Sequence, residues 1–128
     1  MNILCIIPAR SGSKGIINKN IKYLGDKPLM AWSIEHALKS KHNMRIIVST
    51  DSEEYAEIAR KYGAEVPFIR PKEISQDLST DFEFLKHCVD YLKENENYKP
   101  NFIVQLRPTY PSRKVSILDE TIDIFIEK

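Results

Sequence analysis

The chain has 128 residues, of which 42% are hydrophobic and 29% are charged, which is enough for one globular domain spanning residues 1–128 and too few for two. Its 19 Lys and Arg residues nearly balance its 18 Asp and Glu residues, so the net charge is +1. So close a balance leaves no overall field that would hold nucleic acid or an anionic membrane, and any basic function must be local.

The two cysteines and the lengths of the apolar runs indicate the cellular compartment in which the protein is expected. Cys5 lies in an apolar run and Cys88 in a helical pattern, and neither belongs to a CxxC or Cys/His cluster. We therefore expect two buried thiols in a reducing, cytoplasmic setting. The apolar run of residues 3–7 is shorter than the roughly 7 to 15 residues of a signal core. No run approaches the about 20 apolar residues that span a bilayer.

Continuous apolar runs predict two buried strands in the first half of the chain. Residues 3–8 (ILCIIP) and 45–50 (RIIVST) do not alternate, which is typical of parallel strands covered on both faces. Between them a helix is predicted from Pro28 onward. Its inner face is expected to carry Met30, Ile34, Ala37 and Leu38.

An acid-rich helix is predicted directly after the second strand. Asp51 or Ser52 is expected at its N-cap and Gly63 at its end, because these residue types favour those positions. Asp51 is interpreted as the cap rather than as a catalytic residue. The inner face is expected to carry Tyr55, Ala59 and Tyr62.

The second half of the chain repeats this alternation. A short strand is predicted over 66–69, a helix over 80–94, a buried strand over 101–106 and a helix over 116–127. The expected inner faces of the two helices carry Phe82, Leu85, Val89 and Leu92, and Leu118, Ile122 and Phe125.

Strands that alternate with helices predict an α/β fold with a Rossmann-like, mainly parallel sheet and helices on both faces. Ligands of such sheets bind beyond the carboxyl ends of the strands. The loops after Pro8, Ser49, Ile69 and Leu106 are therefore the places where a site is expected.

The loop after the first strand has the composition of an anion site. Residues 10–15 (RSGSKG) fit neither a Walker A loop nor a GxGxxG fingerprint. Glycines nevertheless let backbone N–H groups approach phosphate oxygens, hydroxyls add donors, and Arg10, Lys14 and Lys19 can neutralise several charges. A solvated loop with incidental lysines is the alternative, and the position at a strand's carboxyl end favours phosphate binding.

Several segments together resemble one family. They are residues 7–21 (IPARSGSKGIINKNI), 25–37 (GDKPLMAWSIEHA), 48–66 (VSTDSEEYAEIARKYGAEV), 70–71 (RP) and 106–113 (LRPTYPSR). In order and register they are similar to the N-terminal half of the acylneuraminate cytidylyltransferases, the CMP-sialic acid synthetases. The resemblance implies a fold of the nucleotide-diphospho-sugar transferase type. It also implies transfer of CMP from CTP to an acidic keto sugar for surface polysaccharides, with release of pyrophosphate and help from Mg²⁺.

Residue roles follow from the resemblance by position. Arg10 and Lys19 would be catalytic, and Arg107, Thr109 and Arg113 would bind the acceptor. Many members read Gln-Pro-Thr-Ser-Pro-x-Arg at the last motif, so Arg107 and Tyr110 are departures that leave the acceptor acid open. The implied nucleotide-binding set is Ala9, Arg10, Ser11, Gly12, Ser13, Lys14, Gly15, Lys19, Asn20, Arg70 and Asp77.

The family's second half has no counterpart in this sequence. It ordinarily carries an Asp-x-Asp pair for Mg²⁺ and the segment that builds a homodimer, and no Asp-x-Asp occurs in a cleft loop here. No metal ligand is therefore assigned, and the dispersed His36, His42 and His87 lack ligand spacing. Three hypotheses stay open: a synthetase represented by its N-terminal half, a non-catalytic nucleotide-binding module, and an interaction domain without a ligand.

Overall fold

A three-stranded parallel sheet with helices on both faces forms the core of the chain. The structure is a computed structural model that describes residues 2–11, 19–71, 81–108 and 114–127. A short 3-10 helix covers Lys19–Ile21. In chain order the strands and helices are β1 (Ile3–Pro8), β2 (Tyr23–Leu24), β3 (Lys27–Pro28), α1 (Leu29–Lys39), β4 (Arg45–Ser49), α2 (Glu53–Lys61), α3 (Asp81–Glu96), β5 (Phe102–Gln105) and α4 (Val115–Glu127).

β1 lies at the centre of the sheet, whose order is β4-β1-β5 with both pairings parallel. In this register Cys5 lies beside Ile46 on one side and Val104 on the other. A single parallel bridge joins Ile47 to Glu65, so the chain moves outward past β4 before it returns to the other side of β1. The strand order therefore reverses between β1 and β5, and ligands of open parallel sheets bind at such a switch point.

The continuous apolar run of β1 is explained by cover on both faces. Ile3, Cys5 and Ile7 belong to one core cluster, with α1, α2 and α4 packed on it. Leu4 and Ile6 belong to a second cluster, which α3 covers. The predicted fold class is thus confirmed. Cys5 and Cys88 are both completely buried, as expected.

Ser52, not Asp51, caps α2. The Ser52 hydroxyl accepts a hydrogen bond from the Tyr55 N–H at 3.3 Å, which satisfies one of the free donors of the first turn. Gly63 follows the helix with φ of +105°, a left-handed conformation that glycine adopts without strain. The end of the helix was correctly predicted, and the interpretation of Asp51 as its cap was wrong.

The predicted third strand over 66–69 is wrong in extent. Glu65 pairs with β4 in full, because its N–H donates to the Ile46 carbonyl at 2.9 Å and its carbonyl accepts from the Val48 N–H at 3.0 Å. The next donor of a parallel ladder would be residue 67, which is Pro67 and has no N–H. The ladder stops there, and the chain rejoins β4's end only where the Arg70 N–H donates to the Thr50 carbonyl at 2.7 Å.

Three predicted helix faces are also partly wrong. The buried stripe of α3 is Phe84, Cys88 and Leu92, whereas Phe82 is exposed and Val89 is half-buried. Ends of amphipathic patterns are ambiguous because an apolar residue can fall on either side of the stripe. Leu38 on α1 and Phe125 on α4 are exposed for the same reason. Within the described ranges, the helices include none whose length and apolarity would suffice to cross a membrane.

A small hairpin was not predicted. β2 and β3 pair antiparallel across the turn at Gly25 and Asp26, and Gly25 has φ of +71°, as two-residue hairpin turns require. The Trp32 indole N–H donates to the Leu24 carbonyl at 2.9 Å, which ties the hairpin to α1. Strands of two residues are too short to leave a periodic signal.

Candidate functional site

The candidate site lies at the carboxyl ends of β1 and β4. The pairing of these strands continues beyond them, because the Ala9 N–H donates to the Ser49 carbonyl at 2.9 Å. Ala9 is completely buried in the core, and the chain reaches the surface at Arg10 and Ser11. Three of the four loops in which a site was expected, those after Pro8, Ser49 and Ile69, converge here.

Asp51 anchors the start of the first loop. Its Oδ1 accepts a hydrogen bond from the Ser11 N–H at 2.8 Å, and its Oδ2 accepts one from the Ser11 hydroxyl at 3.0 Å. Both oxygens of the carboxylate are thus used by one residue forty positions earlier in the chain. Sequence reasoning missed this role, although an aspartate directly after the carboxyl end of a buried strand was the available signal.

Asn20 closes the loop from its other end. Its side chain is buried, and its Nδ2 donates to the Arg10 carbonyl at 3.1 Å. The loop is therefore held at Ser11 by Asp51, which follows β4, and at Arg10 by Asn20 of the 3-10 helix. The intervening candidates Gly12, Ser13, Lys14 and Gly15, and the side chain of Lys19, lie outside what the structure describes.

An Asn20→Ala variant should lose about 1–3 kcal/mol of unfolding free energy, because it removes the donor to the Arg10 carbonyl and leaves a small cavity. Asn43→Ala is the matched control, since Asn43 is exposed, and it should change stability by no more than about 0.5 kcal/mol. Urea unfolding of both variants measures the difference. Equal losses in the two variants would remove Asn20 from the role of closing the loop.

Arg70 is a buried cation at the same edge, with only 3% of its surface exposed. Its Nε donates to the Ser49 hydroxyl at 3.0 Å and its Nη2 to the Ser49 carbonyl at 2.7 Å. The guanidinium carbon lies 5.0 Å from the centre of the Phe84 ring, within the range of a cation–π contact. The Arg70 side chain therefore holds the end of β4 through two hydrogen bonds to Ser49.

Among the side chains that the structure describes at this edge, the charges of Asp51 and Arg10 act on Arg70. The pKa of Arg70 is lowered to about 10, mainly by burial; the negative charge of Asp51 opposes this shift and the positive charge of Arg10 adds to it. Arg70 stays charged at neutral pH, in a setting that disfavours its charge. An anion bound beside it would supply the compensating charge that Asp51 alone does not.

His87 lies on α3 and is half-buried. Its ring packs edge-on against Phe68, with 4.7 Å between the ring centres, and its buried Nδ1 has no hydrogen-bond partner among the described residues. Burial and the nearby charge of Arg70 lower the pKa of His87. Within the described ranges no group of three or more His, Cys, Asp or Glu side chains could hold a metal ion.

The predicted acceptor end is only partly described. Arg107 follows β5 and is exposed, and its carbonyl accepts a hydrogen bond from the Ser33 hydroxyl of α1 at 3.4 Å. This bond fixes the start of the loop after β5 relative to α1. Asp77, Thr109 and Arg113 lie outside the described residues.

Fold and site together are those of a Rossmann-like α/β protein with cationic side chains at its switch point. The family profile described as Cytidylyltransferase matches residues 4–123. The chain therefore belongs to the cytidylyltransferase family, and the resemblance found in its motifs is confirmed.

Individual relatives agree with this assignment. The N-acylneuraminate cytidylyltransferase of Escherichia coli is 43% identical over 123 residues, which are 96% of this chain and 28% of that protein. The pseudaminic acid cytidylyltransferase of Campylobacter jejuni is 40% identical over 127 residues, or 99% of this chain and 54% of that protein. The chain thus spans about half the length of the second relative and less of the first.

A solved structure supports the fold. The CMP:2-keto-3-deoxy-manno-octonic acid synthetase complexed with CTP superposes with a TM-score of 0.81 at 17% identity. The match covers 100% of this chain and 48% of that one. At this identity the similarity establishes the shared α/β fold.

Proposed function

We propose that the chain is the nucleotide-binding part of a cytidylyltransferase that transfers CMP from CTP to an acidic keto sugar. The observation that carries the proposal is that Arg10 and Arg70 lie together at the carboxyl ends of β1 and β4. The loop that begins there is anchored at Ser11 by Asp51 and at Arg10 by Asn20. A triphosphate is the ligand that such an edge favours, because clustered cations and backbone N–H groups compensate its charge. Family membership and the printed names of the relatives supply CTP and the sugar acid.

In the proposed reaction the anomeric hydroxyl oxygen of the sugar attacks the α-phosphorus of CTP. A new oxygen–phosphorus bond forms, the bond from the α-phosphorus to the bridging oxygen breaks, pyrophosphate leaves and the hydroxyl proton passes to solvent. Arg10 and Lys19 would stabilise the charge that spreads over the phosphates, as phosphoryl-type transfer requires. The remaining loop residues, Asn20, Arg70 and Asp77 would hold the nucleotide. Arg107, Thr109 and Arg113 would bind the acceptor, with Arg113 on its carboxylate.

Mg²⁺ is part of the proposal as a companion of the nucleotide. The described residues do not fit a protein-built site, because no cluster of potential ligands is present among them and both oxygens of Asp51 already accept hydrogen bonds from Ser11. Proteins commonly hold Mg²⁺ through few carboxylates plus substrate phosphates. We also propose a cytoplasmic location and a supply of activated sugar acids for surface polysaccharides.

Thermal melting of the 128-residue chain with CTP tests the binding step. CTP at about one hundred times its Kd should stabilise the fold by about 2.7 kcal/mol, which raises Tm by several degrees. ATP, GTP and UTP at the same concentration, all with Mg²⁺, should give smaller shifts. A chain that melts cooperatively with no shift for any nucleotide would overturn the proposal.

Two variants make the melting test specific. Arg10→Gln removes a cation from the loop and should reduce the CTP shift. Lys93→Gln removes a cation from the far end of α3, where the side chain is exposed, and should leave the shift unchanged. A CTP shift without any CMP-sugar product, even when the second half of a relative is supplied, would favour the non-catalytic nucleotide-binding module.

A further inference from the structure

The segment that leads from the end of the ladder to Arg70 lies against one face of α3. Three side chains of that face contact it in turn, and they are Tyr91, His87 and Phe84. The Tyr91 hydroxyl donates to the Pro67 carbonyl at 3.0 Å. The three residues recur at helical spacing, so they form one stripe. α3 thus supports the segment where pairing with β4 has stopped.

Two contacts bring the His87 ring near the charge of Arg70. The ring packs edge-on against Phe68, which lies just before Arg70 in the chain. One turn earlier on α3, Phe84 carries the Arg70 guanidinium on its ring. The imidazole and the buried guanidinium therefore belong to one small region, where positive charges repel each other more strongly than they would in water.

The surroundings of His87 favour a neutral ring at neutral pH in the chain without ligand. A protonated ring donates from both nitrogens, and the buried Nδ1 finds no acceptor among the described residues. An unpaired charged donor in that position is costly. Burial and the positive charge of Arg70 accordingly lower the pKa of His87, and the negative charge of Asp90 opposes them.

The other charges around the ring lie on α3 itself. Glu83 and Lys86 precede His87 on the helix and Asp90 follows it. The Lys86 ammonium is bonded to Asp90 at 2.6 Å, which offsets part of the negative charge of Asp90 at the ring. The strand residues of the second core cluster, which α3 covers, are apolar. Arg70 is therefore the described neighbour whose charge a ligand at the strand ends can cancel.

We propose that His87 takes up a proton when the phosphates of a nucleotide bind beside Arg70. The negative charge of the phosphates offsets the charge of Arg70 at the ring, so that the protonated ring is no longer repelled. A ligand that raises the pKa of a group binds more tightly once that group is protonated. Affinity for CTP should therefore rise as the pH falls through the range in which His87 titrates. This proposal rests on the proposed nucleotide site.

An NMR titration of the histidine rings tests the proposal directly. The chain has three histidines, and His87→Phe identifies the His87 signal by its loss. Without ligand, Arg70→Met should raise the pKa of His87, because it removes the nearby cation. In the native chain CTP with Mg²⁺ should raise the pKa of His87, and so should inorganic triphosphate in a separate titration.

His42 is the internal control in the same spectra. It precedes β4, whose carboxyl end carries the site, and its Nε2 lies 2.9 Å from an oxygen of Asp123 on α4. A phosphate at the opposite end of β4 should not reach it through a solvent that screens charge over about 10 Å. The His42 signals should therefore follow pH in the same way with and without CTP.

Calorimetric titration with CTP measures the consequence for affinity. From about pH 7.5 to about pH 5.5, a range around the ordinary histidine pKa of about 6.5, the affinity of the native chain relative to His87→Phe should rise about threefold or more. Protonation of CTP itself cancels in this ratio, because both chains meet the same nucleotide. Phenylalanine keeps an aromatic ring against Phe68. His87→Gln, which is polar and does not titrate, should give the same ratio.

The proposal is wrong if Arg70→Met leaves the pKa of His87 unchanged, or if CTP binds and that pKa does not rise. It is also wrong if the native chain and His87→Phe gain affinity equally as the pH falls. In each of these cases the nucleotide site itself stands. If neither CTP nor inorganic triphosphate binds, the proposed function is overturned and the proton uptake is overturned with it.

Discussion

An Arg70→Met variant is expected to bind CTP about tenfold or more weakly than the native chain, because a hydrogen-bonding cation beside a phosphate contributes about 1.5–3 kcal/mol. Its free energy of unfolding should change by no more than about 1 kcal/mol. Replacing a buried charge by an apolar side chain of similar volume is often neutral, since the cost of desolvating the charge disappears with it. The lowered pKa of Arg70 is a sign of that cost.

The contacts of Ser49 explain why the fold should tolerate methionine. When the Nη2 donor is removed, the Ser49 carbonyl keeps its hydrogen bond from the Ala9 N–H. The methionine thioether can still pack on Phe84, which the guanidinium covers in the native chain. Binding and stability should therefore separate at this position.

Arg70→Ala is the comparison variant. It should lose about 2–4 kcal/mol of stability, because it leaves a cavity as well as removing both hydrogen bonds to Ser49. Urea unfolding measures stability, and calorimetric titration with CTP in Mg²⁺ measures affinity. If Arg70→Met binds CTP as the native chain does, Arg70 is a brace for β4 and has no part in binding.

The elements that the sequence predicts well are those whose signal is local. β1 and β4 carry continuous apolar runs, and α2 is bounded by a serine cap and a left-handed glycine. The alternation of these elements is sufficient to predict the parallel α/β fold. The position of β5 at one edge of the sheet that the structure describes is not a local property, because it depends on the order in which the strands assemble. Its apolar sequence therefore predicts a buried strand, which the exposure of Ile103 contradicts.

The candidate site likewise has features that the sequence predicts and features that it does not. The loop's composition predicts its chemistry, and the rule of carboxyl-end loops predicts its place. The anchor of Ser11 on Asp51 joins residues forty positions apart, and no spacing within either segment indicates it. The pairing with β4 ends before Pro67, and the chain meets the end of β4 again at Arg70. How deeply Arg70 is buried therefore depends on how the chain rejoins β4. Such pairwise contacts follow only from the assembled fold.

The second large effect is expected at Asp51, where two consequences of one substitution oppose each other. Asp51→Ala removes both hydrogen bonds to Ser11 and so frees the start of the loop, which must then be ordered when a nucleotide binds. It also removes a negative charge near Arg10 and Arg70, which by itself favours an anion. We expect the loss of the two hydrogen bonds to outweigh the loss of the negative charge, so that CTP binds more weakly. Charge-assisted hydrogen bonds contribute about 1.5–3 kcal/mol each, whereas the charge of a partly exposed carboxylate is screened by solvent.

Asp51→Asn separates the two consequences. The amide keeps one acceptor oxygen for the Ser11 N–H while it removes the charge, so CTP affinity should stay within about threefold of the native value. Asp51→Ala should lower affinity by about tenfold or more and stability by about 1–3 kcal/mol. Calorimetric titration with CTP, with Ser52→Ala as a neighbouring control that affects only the cap of α2, measures both. Tighter binding by Asp51→Ala would mean that the charge of Asp51 matters more than its anchor. If Asp51→Ala and Asp51→Asn lose CTP affinity equally, the negative charge of the carboxylate is needed. In that case the neutral acceptor oxygen of asparagine, at the same place, does not replace the carboxylate.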